Sequence, residues 1–181
     1  MTTRVPSQLD PNGPLATLLR GRAEQRAICD RLELIADQMC GPIDRRLCLS
    51  TLDQLAYELP LYQADEEALF SILGARTKTG DVVSGCTDQA VRDHNHYQDN
   101  TLEITDAIEA HLANAKMANP DVLGYMLRCT FEGLRQHMAW EDVTLLGPLL
   151  RPLTDEEIEQ FQSHLARNRS SRAPHFRIAD R

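Results

Sequence analysis

Aromatic residues make up only 5% of this 181-residue chain. That scarcity excludes an aromatic-rich β-sandwich and a surface built to stack nucleic-acid bases. Glycine and proline number nine each, which leaves long segments uninterrupted and free for helix. No apolar run reaches the roughly 18–20 residues that a membrane-spanning helix needs, so no membrane partner is expected. The opening segment MTTRVPSQLDPNG has no apolar core of the kind a secretion signal uses. Basic residues are outnumbered, 19 against 27 acidic ones, for a net charge of −8. A general nucleic-acid binder needs a basic face, so no nucleic-acid partner is expected either. Cys29, Cys40, Cys48, Cys86 and Cys129 are odd in number and scattered, with no CxxC pair. They read as reduced, packing thiols of a cytoplasmic protein rather than a disulfide framework or zinc knuckle.

What is present is an ordinary globular composition, 42% hydrophobic and 25% charged, at a length suited to one domain with a full core. Four long helical patterns lie between breakers. The first runs from about Leu15 to Met39 and stops at Gly41-Pro42. The second runs from about Asp44 to Leu73, with a kink expected at Pro60. Ser84-Gly85 reads as the lead into the third, from about Thr87 to Met117. The fourth runs from about Asp121 to Leu146 and is closed by Gly147-Pro148. A short fifth helix is expected over 154–165, opened by the capping box Thr154-Asp155-Glu156-Glu157. The expected organisation is a loose segment at 1–14, an all-α, up-down-up-down four-helix bundle with its short C-terminal helix at 15–166, and a basic tail at 167–181.

Written at coiled-coil spacing, the core-facing stripes carry polar residues one turn apart. The first helix gives Leu18, Arg22, Gln25 and Cys29, and the second Leu59, Tyr62, Glu66 and Leu69. The third gives Val91, His94, Gln98, Thr101, Thr105 and Ile108, and the fourth Leu134, His137 and Glu141. Unpaired charges in a core cost several kcal/mol each, so polar groups on four helices at one level indicate a built site. A lone helix-face histidine is commonly a packed or surface residue, and an HxxxE pair is common by chance. The coincidence carries the weight. Two imidazoles and two carboxylates from three helices, His94, His137, Glu66 and Glu141, suit a borderline divalent metal such as iron, manganese or zinc. His96 falls on the far side of its helix and reads as a surface residue. Asp142, next to Glu141, is a lesser acidic candidate, and Met138 and Trp140 read as packing.

The segments EQRAIC from Glu24, LPLYQADEEALF, RDHNHYQD and LRQHMAWEDVTLLGPLLRPLTDEEI together resemble the hemerythrin HHE cation-binding family over about Leu15 to Leu165. The resemblance implies a four-helix bundle around a non-haem di-iron site, with roles in oxygen binding, oxygen or nitric-oxide sensing, iron handling or iron-centre repair. The ligand set is depleted, however. Where the family has histidine on the first helix this chain has Arg22. Its second-helix pair reads Tyr62 and Glu66, beside Gln63, and its third-helix pair reads His94 and Gln98. His137 and Glu141 are kept.

Arginine offers no lone pair and stays charged, so it repels a divalent cation and pairs with Glu66 or Glu141 instead. A full di-iron centre is therefore disfavoured. Two readings stay open. One is a single metal centre for a small diatomic ligand, with Tyr62 nearby as a donor or extra ligand. The other is a metal-free bundle in which Arg22 replaces the metal and the chain serves as an interaction or regulatory module for a protein partner. An enzymatic reading lacks support, since there is no nucleophile elbow, phosphate loop or triad.

Overall fold

The computed structural model describes residues 13–39, 41–76, 82–113, 119–144 and 153–170. Its helices are α1 (Pro14–Asp37), α2 (Arg45–Asp53), α3 (Leu59–Ala75), α4 (Val82–Leu112), α5 (Pro120–Thr144) and α6 (Asp155–Ser170). A π-helical turn, Gln54–Glu58, joins α2 to α3 as one continuous helix. No strand occurs among the described residues, and no helix there is long and apolar enough to cross a membrane.

Local chemistry explains the ends. Pro14, expected in the loose segment, instead opens α1, where its fixed φ suits the first turn and its missing N–H is not needed. Asp44 caps α2 by accepting from the N–H groups of Arg46 and Leu47 at 2.9 and 3.1 Å. The kink expected at Pro60 is absorbed just upstream. Proline has no N–H to give the carbonyl four residues back and crowds it. The backbone widens there, and the Leu59 N–H reaches the Gln54 carbonyl. Helix α4 starts at Val82 rather than near Thr87, so Ser84-Gly85 lies inside it; Gly85 has open space around its Cα and is no obligatory breaker. Helix α5 opens at Pro120 under an Asn119 cap that accepts from the Asp121 N–H at 3.0 Å. At α6 the Thr154 N–H donates to Glu157 Oε2 at 2.7 Å, and the Glu157 N–H donates to Thr154 Oγ1 at 3.2 Å. That helix continues to Ser170, past the expected end, because Arg169 reaches back to Asp65 on α3 (2.9 Å). The expected Gly147-Pro148 stop, His175 and the rest of the tail lie outside the described residues.

The order of cross-helix pairs fixes relative directions. From Arg22–Asp142 through Asp30–Arg135 to Asp37–Arg128, numbers rise on α1 while they fall on α5. The same inversion relates α4 to α5 through His94–Glu141 and Tyr97–Gly133, and α3 to α4 through Glu67–His94 and Gln63–Gln98.

Two apolar clusters flank a polar layer. One gathers Ile28, Leu32, Leu52, Leu59, Ile108 and Leu134 with their neighbours. The other gathers Leu18, Leu69, Ile72, Leu73 and, from α6, Ile158, Phe161 and Leu165. Between them on α1 come Arg22 and Gln25, and on α3 Gln63 and Glu66, all buried. The α4 stripe is corrected by one register step. Ala90, His94, Thr101, Ile104 and Ile108 are buried, whereas Val91 is 38% exposed. Thr105 bonds back to the Thr101 carbonyl at 2.8 Å instead of filling the core. The cysteines divide. Cys29 and Cys48 are buried, and burial pushes each thiol up to about 11, which makes them inert packing groups. Cys86 is half-buried and Cys129 exposed, so the packing expectation fails for Cys129, which sits on the outer face of α5. Cys40 lies outside the described residues.

Two outcomes are expected from α6. Phe161 is fully buried, and Phe161→Ala should lower the unfolding free energy by about 3–5 kcal/mol in urea denaturation. A loss below ~1 kcal/mol would show that α6 stands outside the cooperative core. The second concerns acid. Arg76 grips Glu157 through two hydrogen bonds, Nε to Oε1 at 2.6 Å and Nη2 to Oε2. This contact holds the Glu157 carboxyl down at about 2, against an ordinary 4.5. A carboxylate depressed on folding stabilises above its unfolded pKa and loses that contribution as it protonates. Protection factors for α6 amides, corrected for intrinsic exchange, should therefore fall as pH drops from 4.5 towards 2, and Arg76→Gln should move the onset to higher pH.

Candidate metal centre

The polar layer is assembled from four helices. Arg22 and Gln25 come from α1, Glu66 and Glu67 from α3, Asp93 and His94 from α4, and His137, Glu141 and Asp142 from α5. One-turn spacing puts Arg22 with Gln25 on one face of α1, and His137 with Glu141 on one face of α5.

Arg22 is 3% exposed, and all of its N–H groups are directed at acceptors. Nη1 donates to Glu66 Oε1 at 2.7 Å and to Glu141 Oε2. Nη2 donates to the Met138 carbonyl and to Asp142 Oδ1, each at 3.0 Å, and Nε lies 3.3 Å from the same Asp142 oxygen. Burial alone would lower the guanidinium's pKa; the charges of Glu66 and Glu141 more than reverse this, and it rises. Arg22 is a permanent cation here. Gln25 Nε2 also donates to Glu66 Oε1, at 2.7 Å.

Each carboxylate therefore has one oxygen committed to α1. The other oxygens, Glu66 Oε2 and Glu141 Oε1, turn the opposite way, towards His94 Nε2 and His137 Nε2. All four atoms are buried without a hydrogen-bond partner. Glu141 Oε1 lies 3.1 Å from His137 Nε2 and 3.3 Å from His94 Nε2, and Glu66 Oε2 lies 3.8 Å from His94 Nε2. Donors bound at 2.0–2.2 Å to one ion stand roughly 2.9–3.6 Å apart at right or tetrahedral angles. The two Glu141 distances fall in that range and the Glu66 distance just outside it. The ligand atoms of His94, His137 and Glu141 all lie within 4.8 Å of one another.

The outer nitrogens of both rings face carboxylates. His94 Nδ1 is 2.9 Å from Glu67 Oε1, and His137 Nδ1 is 3.3 Å from Asp93 Oδ2. The acid at His94 Nδ1 holds a proton there and turns that ring's Nε2 inward, as in metal-binding histidines, whereas His137 Nδ1 faces Asp93 without an aligned hydrogen bond. His137 is further held by Trp140, stacked at 6.0 Å between ring centroids, and by Tyr97 at 5.5 Å. Tyr97 gets this close because Gly133 has no side chain. A Cβ there would come within 3.3 Å of the Tyr97 ring, whose hydroxyl donates to the Gly133 carbonyl at 2.9 Å.

Arg22 is the buried cation of the layer, Arg26 pairs with the outer oxygen of Asp142 at 2.9 Å, and protons supply the rest of the compensation. Burial would lower the His94 pKa, but Glu141 and Glu67 raise it to about 9. Burial, then the Glu141 charge, raise Glu66 against the pull of Arg22. Burial also pushes Glu141 upward, and the two histidines and Arg22 override it, so its carboxyl is lowered.

Of the residues expected at this level, Arg22, Glu66, His94, His137 and Glu141 are brought together. Two are not. Gln98 is exposed, because the true α4 stripe passes through Tyr97. Tyr62 is half-buried with its ring against Gly21, and its hydroxyl donates to Glu58 at 3.2 Å, one turn away from the site. It therefore offers the histidines no donor. Gln63 is buried one turn before Glu67, accepts from Gln98 at 3.4 Å and keeps an unpartnered Nε2. His96 is exposed beside Asn100. Gln25, Glu67, Asp93 and Tyr97 complete the centre and were not among the expected site residues. Gln25 was visible on the α1 stripe, but Glu67 and Asp93 act across to other helices and leave no local signal.

No protein-family model, curated protein or solved structure matches this chain. The site is thus judged on its own donors, and they fit one borderline divalent ion. There are two inward imidazoles, one carboxylate oxygen at coordination spacing and a second within 3.8 Å.

The cage around Arg22 yields a stability prediction. Arg22→Met in metal-free buffer leaves two buried carboxylates without their counter-charge and should cost about 3–5 kcal/mol in chemical denaturation. Adding Glu66→Gln and Glu141→Gln to it should recover much of that loss. A single variant as stable as the parent chain would mean that the cage contributes nothing.

Proposed function

We propose that the chain is a hemerythrin-like, up-down-up-down four-helix bundle that binds one divalent metal ion in its polar layer. His94, His137 and Glu141 are the ligands and Glu66 the fourth donor. The inverted order of cross-helix pairs supports the topology. The metal reading rests on one observation, the four buried and unpartnered donor atoms turned towards one another. Charge-assisted hydrogen bonds are shorter, about 2.7–2.9 Å, and aligned, whereas these contacts have the spacing of ligands around an ion.

Iron, manganese and zinc all accept such a set. Bound iron would supply open coordination positions and a change of oxidation state, which suits oxygen or nitric-oxide sensing or iron handling in a reducing cytoplasm. The chain's own contribution is to hold His94 through Glu67 and His137 between Trp140 and Tyr97, and to seal the layer between apolar clusters. A recess of about 10 Å³ bounded by Leu18, Leu19 and Phe70 reaches Arg22 and Glu66. It has room for little more than one water-sized or diatomic molecule.

The metal-free alternative, a regulatory or interaction module, is favoured by a different observation: Arg22 already neutralises one oxygen of each carboxylate. Chelator-stripped protein titrated with Zn(II), or with Fe(II) under nitrogen, separates the two. About one equivalent should bind and raise the melting temperature. His94→Ala and His137→Ala should abolish the effect, and Glu67→Gln should weaken affinity about 10–100-fold. Absence of metal with an unchanged melting temperature decides for the metal-free module.

A further inference from the structure

We infer that the Arg22 guanidinium occupies a second cation position beside the first, and that by filling this position from within the chain it limits the centre to a single metal ion. The inference rests on the single-metal reading for what lies on the histidine side, but its own observations lie on the opposite side of the two carboxylates.

Glu66 and Glu141 are each divided. One oxygen of each meets the guanidinium, and the other turns to the imidazole pair. Carboxylates shared in this way bridge two positive centres, one of them already present as a side chain. The hydrogen-bond partners of Arg22 are all oxygens: Glu66 Oε1, Glu141 Oε2, Asp142 Oδ1 and the Met138 carbonyl. Gln25 adds an amide that could present its own oxygen instead. Two buried carboxylates, a carbonyl and the half-exposed Asp142, whose other oxygen Arg26 holds at 2.9 Å, form an oxygen-rich pocket for a hard or borderline cation.

The guanidinium serves this pocket in a way a metal cannot. It stays charged at every accessible pH, spreads its charge over five donors and needs no supply from solution. It also offers no lone pair and no open position. A centre built this way has one exchangeable ion and one permanent one. A second divalent ion is excluded by occupancy and by repulsion, since Arg22 is bound to the same carboxylates that the ion would need.

The experiment compares the full-length chain with Arg22→His, Arg22→Met and Arg22→Lys after chelator treatment, titrating each with Zn(II) and counting bound metal by elemental analysis. Parent chain and Arg22→Lys should bind one equivalent. Arg22→His, which vacates the pocket and adds a nitrogen donor, should bind two, and its Mn(II) form should give a spin-coupled electron paramagnetic resonance spectrum. Arg22→Met should gain more thermal stability from Zn(II) than the parent chain does, which an arginine serving only as a brace would not produce.

A folded Arg22→His chain that binds one Zn(II) overturns the inference and leaves the single-metal reading standing. A parent chain that binds none beside a variant that binds two overturns that reading and upholds the cation position. None in either overturns both. Should Arg22→His unfold without metal, refolding in Zn(II) supports the inference, and failure to refold in excess Zn(II) overturns it.

Discussion

A guanidinium buried among carboxylates tolerates no slippage, and the geometry of the rest of the bundle follows from that constraint. Arg22 on α1 is bound at once to Glu66 on α3 and to Glu141, Asp142 and the Met138 carbonyl on α5. Apolar side chains such as Leu32, Leu52 and Leu127 pack at many relative heights at similar energy. Shifting α1 by one turn, about 5.4 Å, would strand a charge in the core. Removing one member of such a network costs several kcal/mol, mainly because the others are left unpaired. The apolar clusters supply the cohesion and the charged layer supplies the register.

The same layer explains why the histidines are arranged as they are. An imidazole with its lone pair facing a carboxylate oxygen at 3.1 Å is repelled unless something positive lies between them. In a dry layer that repulsion is scarcely screened. Glu67 holds the outer nitrogen of His94, and Trp140 and Tyr97 pack on the His137 ring, which together sustain the arrangement. The chain thus maintains a concentration of negative charge and lone pairs that Arg22 compensates only on one side. Either protons or a metal ion completes it.

Most of the layer was legible in the sequence because helical spacing and the energetic penalty on buried charge act locally. Arg22, Glu66, His94, His137 and Glu141 stand out as polar interruptions of apolar stripes, and the capping box at Thr154 and Glu157 was readable from four residues. The failures also have physical causes. On α4 the stripe passes through Tyr97 rather than Gln98, a difference of one residue that short threonine side chains do not resolve. Both Thr101 and Thr105 can satisfy their hydroxyls on the backbone of their own helix. Tyr62 shares its stripe with Glu66, but the direction of its hydroxyl was settled by Glu58 one turn back, a competing acceptor that spacing alone does not rank. Glu67 and Asp93 could not be assigned, because what makes them part of the centre is a histidine on another helix.

The short last helix belongs to this logic as well. Successive residues on α3 project about 100° apart, so Asp65 and Glu66 serve different neighbours from the same turn. Glu66 turns into the layer. Asp65, 2% exposed, turns to α6, where Asn168 and Arg169 donate to it. Between the layer and α6 lie Leu18, Leu69 and Ile72, on which Phe161 of α6 packs, so the helix keeps water from one side of the charged cluster. Excluding water strengthens each interaction of Arg22 with its carboxylates and raises the penalty for any that is missing. The docking of α6 and the geometry of the layer are therefore linked through two adjacent acids. A change that loosens Asp65 from Arg169 would be felt first at Glu66, its neighbour in the chain, whose Oε2 stands 3.8 Å from His94.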